Sequence, residues 1–100
     1  DVNFEKDATR VTLENKINAL RQELDSYVLQ NDITDKMVQD YTKMLEAEER
    51  KFQLGESSLF LVNSRESKLI DSQLKAIELQ NKFFSTKAKL FNSLAINPNL

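Results

Sequence analysis

Acidic side chains stand in close groups along this sequence, and their types and spacing could support chemistry. The groups are Asp32 with Asp35, Glu46 with Glu48 and Glu49, and Asp71 with Glu78. Paired carboxylates can perform acid–base catalysis when a pocket shelters them. The sequence has no histidine and no cysteine, so the usual general base, the thiol nucleophile and the common zinc ligands are absent. We therefore expect no enzyme activity, no catalytic residue, no metal site and no cofactor, and we interpret the acidic groups as solvated helix faces.

The charge distribution does not indicate a nucleic-acid partner. The sequence has 14 lysines and arginines and 16 acidic residues, and its formal net charge is -2. It therefore lacks the excess of positive charge that binds a phosphate backbone. A small basic group, Lys82, Lys87 and Lys89, lies beside Phe83 and Phe84, but we expect these phenylalanines to pack between helices. The sequence therefore favours a chain that does not bind nucleic acid.

A single glycine and a single proline in 100 residues predict a few long helices, because compact β and α/β folds need many turns. Gly55 stands near the midpoint, where glycine can end one helix and a following serine can cap the next. The sequence therefore predicts an all-α fold, a long antiparallel two-helix coiled-coil hairpin with its turn at Leu54–Ser58. The predicted segments of this single domain are helix one over about 7–54, the turn over 55–57, and helix two over about 58–96, ended by Asn97-Pro98-Asn99.

Each predicted helix carries apolar residues that step by three and four, which is the repeat of a coiled-coil seam. In helix one this track contains Leu13, Ile17, Leu20, Leu24, Tyr27, Val38, Tyr41, Leu45 and Phe52, with polar Asn31, Thr34 and Glu48 on the same face. In helix two it contains Phe60, Ile70, Leu74, Ile77, Asn81, Phe84, Ala88, Phe91 and Ala95. We expect the two tracks to face each other, with Leu20 opposite Phe91 and Asn31 opposite Asn81.

Helix two carries a second apolar stripe, one position before the first. It consists of Val62, Leu69, Ala76, Phe83 and Leu90, and Met37 with Met44 form a shorter counterpart on helix one. Adjacent helical residues point about 100° apart, so we expect this stripe to pack against further helices, of a parent chain or of other copies. The isolated chain should then self-associate. The alternative is that helix two lies broadly on helix one, with lysine stems covering the remainder.

The turn sequence has a recognisable spacing. Phe52 stands three residues before Gly55, Ser58 stands three residues after it, and an apolar cluster follows over Leu59–Val62. This pattern resembles the signature of the TolC-like outer-membrane efflux protein family. Helix two is similar to the closing helix of that family at Glu78, Asn81, Phe83 or Phe84, Ala88, Leu90 and Leu94. It departs from the family at Leu94-Ala95-Ile96, where family members usually carry Leu-Gly.

The resemblance implies a passive conduit for efflux or type I secretion in a Gram-negative bacterium. Members of the family are homotrimers with an outer-membrane β-barrel and a periplasmic helical tunnel, and the tips of their hairpins dock onto a periplasmic adaptor (membrane fusion) protein that leads to an inner-membrane pump. The chain would be one periplasmic hairpin of a larger channel protein, and its second stripe would pack against neighbouring tunnel helices. The adaptor-docking tip would be Phe52, Leu54, Gly55, Glu56, Ser57, Ser58 and Leu59.

A different class of function is compatible with the same helices. A free-standing coiled-coil module could dimerise into a four-helix bundle and act as a scaffold for other proteins. The spacing of Phe52, Gly55 and Ser58 favours the conduit, because a generic scaffold has no need of it.

Overall fold

The computed structural model describes the backbone of residues 2–96 and the side chains of residues 5–96. It consists of two α-helices, α1 over Val2–Gln53 and α2 over Leu59–Ile96. A turn over residues 54–58 joins them, and the described residues form no strand. The prediction of an all-α helical hairpin is confirmed.

The ends of the helices differ in part from the predicted bounds. Helix α1 begins at Val2, so the prediction that it begins near residue 7 is wrong. No glycine or proline interrupts these residues, and Glu5 places a carboxylate in the first turn, where the helix dipole favours negative charge. The predicted stop at Asn97-Pro98-Asn99 lies outside the described residues.

The chain divides into two compact units. One combines Asp1–Val28 with Asn81–Leu100, and we call it the terminal unit; the other is Leu29–Gln80, which we call the turn unit. Each unit therefore contains a segment of α1 and a segment of α2.

The terminal unit has an apolar centre supported by a polar contact. Ile17, Leu20 and Leu90 are buried together, and Leu13, Leu24 and Leu94 pack against them. Nearby, Glu23 Oε1 accepts hydrogen bonds from Tyr27 Oη at 3.1 Å and from Thr86 Oγ1 at 3.4 Å. The pKa of Tyr27 is raised above its usual 10.0, mainly because burial removes water from the hydroxyl. The hydrogen bond and the negative charge of Glu23 raise it further, whereas the positive charge of Lys82 lowers it.

Small hydroxyl residues are buried in both units at little cost. In the turn unit Ser72 Oγ donates to the Leu69 carbonyl at 2.7 Å, and in the terminal unit Ser93 Oγ donates to the Lys89 carbonyl at 2.9 Å. These bonds satisfy the hydroxyls within their own helix, so burial leaves no unpaired donor. The two serines can therefore lie between the helices, where their small size lets the backbones approach.

The seam of α1 is the predicted one. On the predicted track, the buried or half-buried positions are Leu13, Ile17, Leu20, Leu24, Tyr27, Asn31, Thr34, Val38, Tyr41, Leu45 and Glu48, and off the track Glu14 and Thr42 are half-buried. Phe52 was predicted to continue this seam and does not, since 45% of it is exposed. It stands beside the turn, beyond the last buried layer.

The seam of α2 is not the predicted one. Buried or half-buried positions are Val62, Ser64, Arg65, Leu69, Ser72, Ala76, Leu79, Phe83, Thr86, Leu90, Ser93 and Leu94. The stripe that begins with Val62, which we expected to pack against other helices, therefore packs inside the hairpin. The alternative, in which helix two lies broadly on helix one, is wrong as well, because only this stripe is covered and the predicted track of α2 is exposed.

The residues predicted to face α1 lie in solvent instead. Phe60, Ile70, Leu74, Ile77, Phe84 and Phe91 are all exposed. In the terminal unit Leu20 packs with Leu90 and not with Phe91, a difference of one residue and thus of about 100° around α2. In the terminal unit Asn81 is exposed, and in the turn unit Asn31 Oδ1 is buried without a hydrogen-bond partner.

Candidate functional site

The turn between the helices is closed by backbone hydrogen bonds at the end of α1. Gly55 N donates to the Phe52 carbonyl at 3.0 Å, and Glu56 N donates to the Lys51 carbonyl at 2.8 Å. This is the Schellman pair of bonds, which needs a residue in the left-handed region at the position of Gly55. Gly55 has a φ of 75°, so its predicted role as a helix stop is confirmed.

The start of α2 is capped by a side chain. Ser58 Oγ accepts a hydrogen bond from Leu61 N at 3.2 Å, and the Ser58 carbonyl accepts one from Val62 N at 3.1 Å. Ser58 is therefore the N-cap residue, since it pairs an amide that the first helical turn leaves free. Hydrogen bonds within the turn therefore fix both the end of α1 and the start of α2.

A buried carboxylate of α1 contacts both the turn and α2. Glu48 is 7% exposed; its Oε2 accepts a hydrogen bond from Ser57 Oγ at 2.8 Å, and its Oε1 lies 3.5 Å from Arg65 Nε. Our interpretation of Glu48 as part of a solvated acidic face is wrong. A carboxylate is seldom buried without partners, and here one partner comes from the turn and the other from α2.

Sequence reasoning assigned no role to Arg65. A heptad count could have found it, because Arg65 stands seven residues before Ser72 and fourteen before Leu79, both of them buried. That reasoning looked for the most apolar stripe and so passed over a stripe that contains an arginine.

The turn carries an exposed apolar surface on this fixed frame. Leu54 is 73% exposed and Phe60 is 78% exposed, and Leu59 and Phe52 are exposed as well. Of the predicted docking residues, Phe52, Leu54, Gly55, Glu56, Ser58 and Leu59 are exposed and Ser57 is half-buried. We call Phe52–Phe60 the tip.

The turn unit has an open groove of about 270 Å³, lined by Met37, Tyr41, Lys68, Asp71, Ser72 and Lys75. No group of three or more acidic residues in the described part of the chain could hold a metal ion. Within that same part, neither helix has a stretch apolar and long enough to span a lipid bilayer.

Helix α2 has a second exposed apolar surface along the side away from α1. Its large residues are Ile70, Leu74, Ile77, Phe84 and Phe91, each between 46% and 62% exposed. We call these residues, together with Asn81, Ala88 and Ala95 on the same face, the outer face of α2.

Comparison with protein-family models, with curated proteins and with solved structures gives no match for this chain. The resemblance to the TolC-like family stays a prediction from the sequence.

Proposed function

We propose that this chain is a coiled-coil interaction module that binds a partner protein through its tip. The observation that carries the proposal is the exposure of Leu54, Leu59 and Phe60 around a turn that is capped on both sides. Apolar groups clustered on an otherwise solvated surface are typical of protein-binding sites. The fixed turn lowers the entropy that binding would otherwise cost.

The more specific form of the proposal is the periplasmic hairpin of a TolC-like outer-membrane channel for efflux or type I secretion. Support comes from the spacing of Phe52, Gly55 and Ser58, of which Gly55 and Ser58 have a defined backbone role in the turn. The partner at the tip would be a periplasmic adaptor protein, linked in turn to an inner-membrane pump of a Gram-negative bacterium. The full protein would be a homotrimer, and in it the outer face of α2 would contact other helices of the channel.

A free-standing oligomerisation or scaffold module is the second candidate. The outer face of α2 favours it, because five large exposed apolar side chains on one helix need a partner whether or not a channel is present. The two candidates differ in what the tip does: a scaffold can assemble through its helices alone.

The tip is tested by the double variant Leu54→Ser/Leu59→Ser in the full-length gene product in its native host, with export of a fluorescent substrate as the measurement. We expect export to fall by about tenfold or more, because two exposed apolar contacts to the partner are lost. Folding should be retained, since both side chains are exposed, and circular dichroism checks this.

Leu29→Ser is the matched control, because Leu29 is 61% exposed on α1, outside the tip. Its export should stay at the level of the unchanged protein. Unchanged export in the tip variant would overturn docking through the tip and leave the scaffold function as the better candidate.

A further inference from the structure

The outer face of α2 has the repeat of a second coiled-coil seam. Ile70, Ile77, Phe84 and Phe91 recur every seven residues, and Leu74, Asn81, Ala88 and Ala95 recur every seven residues between them. The alternating steps of four and three are those of a heptad seam. All eight positions are exposed, and each residue of the stripe that starts at Ile70 lies about 100° around α2 from the seam residue that precedes it. One helix thus carries two seams, of which only one is covered within the hairpin.

From this pattern we propose that a second copy of the chain covers the outer face, with the two α2 helices antiparallel about a two-fold axis that passes between Lys82 and Phe83. In an antiparallel pair, the two classes of seam position face each other. Asn81 then lies beside Phe84 of the second copy, Ile77 beside Ala88, Leu74 beside Phe91, and Ile70 beside Ala95. The pairing is isologous, since each residue's partner makes the same contact in return.

Side-chain sizes fit this arrangement. Ile77 and Ile70 each meet an alanine, so two of the four kinds of layer place a large residue against a small one, as close packing favours. The layer of Leu74 and Phe91 is the bulkiest of the four. The one polar residue, Asn81, occupies the layer next to the axis, beside the layer that contains Asn81 of the second copy. Two amides can donate to and accept from each other, and a single seam asparagine fixes the register of a coiled coil.

Charge selects both the direction and the register. A parallel pair would set Glu66 beside Asp71 of the second copy, and two carboxylates in contact repel. An antiparallel pair shifted by one heptad would place Glu78 beside Glu78 of the second copy, and these two carboxylates would also repel. In the proposed register Lys87 lies beside Gln80, Asp71 beside Asn92, and Glu78 beside Ser85, so no like charges meet.

The exposed area is sufficient for a specific pair. Five large side chains that are about half exposed offer roughly 500 Å² on each copy, and two copies would bury about 1,000 Å² in all, near the lower limit for a specific interface. Lys87 borders this surface, and its Nζ lies 5.6 Å from the centre of the Phe91 ring. Phe91 is nevertheless 57% exposed. This inference does not depend on the tip, and it rests on the oligomerisation candidate, in which the outer face of α2 assembles copies of the chain.

Single-cysteine variants test the pair directly, because the chain has no cysteine of its own. Ile77→Cys and Ala88→Cys are purified separately, mixed, and oxidised at micromolar concentration. We expect the mixture to form a disulfide-linked dimer that contains one chain of each variant. Neither variant alone should cross-link, because each cysteine would lie about 16 Å along the helix axis from the same cysteine of the second chain.

Gln39→Cys, exposed on α1, is the control for random collision, and its cross-linked fraction should be about tenfold lower or less. Cross-linking of Ile77→Cys with itself would show a parallel pair and overturn the proposal. A monomer or a trimer in sedimentation of the unchanged chain would overturn it as well, and a trimer would favour the channel. Leu74→Glu should abolish the dimer and leave the helix content unchanged, whereas Leu29→Glu on α1 should leave both unchanged.

Discussion

At the scale of single residues, the turn depends on one buried carboxylate. Glu48 lies on the seam of α1, and its two oxygens contact Ser57 and Arg65. Sequence alone placed Glu48 on the seam track and also in an acidic cluster, and these two interpretations conflict. Burial decides between them, because a carboxylate in the seam needs partners that only the folded turn and α2 supply.

Replacing Gly55 by a residue that disfavours positive φ should lower the stability of the chain. Its φ is 75°, and a Cβ at this position would meet no atom within 4 Å, so the cost comes from the backbone alone. We expect Gly55→Ala to lower the free energy of unfolding by about 1–2 kcal/mol, as measured by urea denaturation. Gly55→Asn should cost less, since asparagine tolerates this region better. Equal stability of the alanine variant and the unchanged chain would contradict the left-handed turn.

Asn31 should reduce stability where it stands. Its Oδ1 is buried without a hydrogen-bond partner, and an unsatisfied buried polar group costs about 1–3 kcal/mol. We expect Asn31→Leu to raise the free energy of unfolding by about 1 kcal/mol or more, measured by urea denaturation. Asn18→Leu is the control, because Asn18 is exposed on the same helix and its replacement should change little. A loss of stability in Asn31→Leu would mean that the amide is paired.

At the scale of the helices, the two α2 stripes exchanged the roles that the sequence suggested for them. Both were identified as heptad repeats, and the heptad pattern alone does not say which of two stripes faces the partner. The inward stripe contains Ser72, Thr86 and Ser93, each at most 5% exposed. Small hydroxyl residues allow close approach, and those at 72 and 93 pair with their own helix, so a more polar stripe packs inward and a more apolar one is left outside.

Two leucines on α2 give a direct test of this rotation. Leu79 is 2% exposed and Leu74 is 59% exposed. We expect Leu79→Ala to cost about 2–4 kcal/mol of unfolding free energy, whereas Leu74→Ala should cost less than about 1 kcal/mol. Both are measured at submicromolar concentration, so that association through the outer face does not contribute. The reverse order would show that the predicted register, with Leu74 inside, is the correct one.

At the scale of the whole chain, each compact unit has its own buried residues. The terminal unit is centred on Ile17, Leu20 and Leu90, and the turn unit buries Leu79, Ser72 and Glu48. Apolar residues on the outer face of α2 and at the tip remain exposed in these units. These exposed apolar residues are the surfaces through which we propose that the chain binds other proteins.

The sequence by itself determined that two helices form, where the turn between them lies, and the seam of α1 as far as Glu48. These follow from local chemistry: one glycine that can adopt positive φ, a serine that can cap, and a regular heptad repeat in α1 with no competing stripe of equal length. Exposure at a turn is also a local property, and six of the seven predicted tip residues are exposed, whereas their role in docking stays a prediction.

Only the tertiary structure decided which face of α2 meets α1, and with it the burial of Glu48 and Arg65. The choice depends on how closely the two backbones approach and on whether buried polar groups find partners across the helices. Neither quantity can be read from the hydrophobicity of one helix, because both arise only when the second helix is in place.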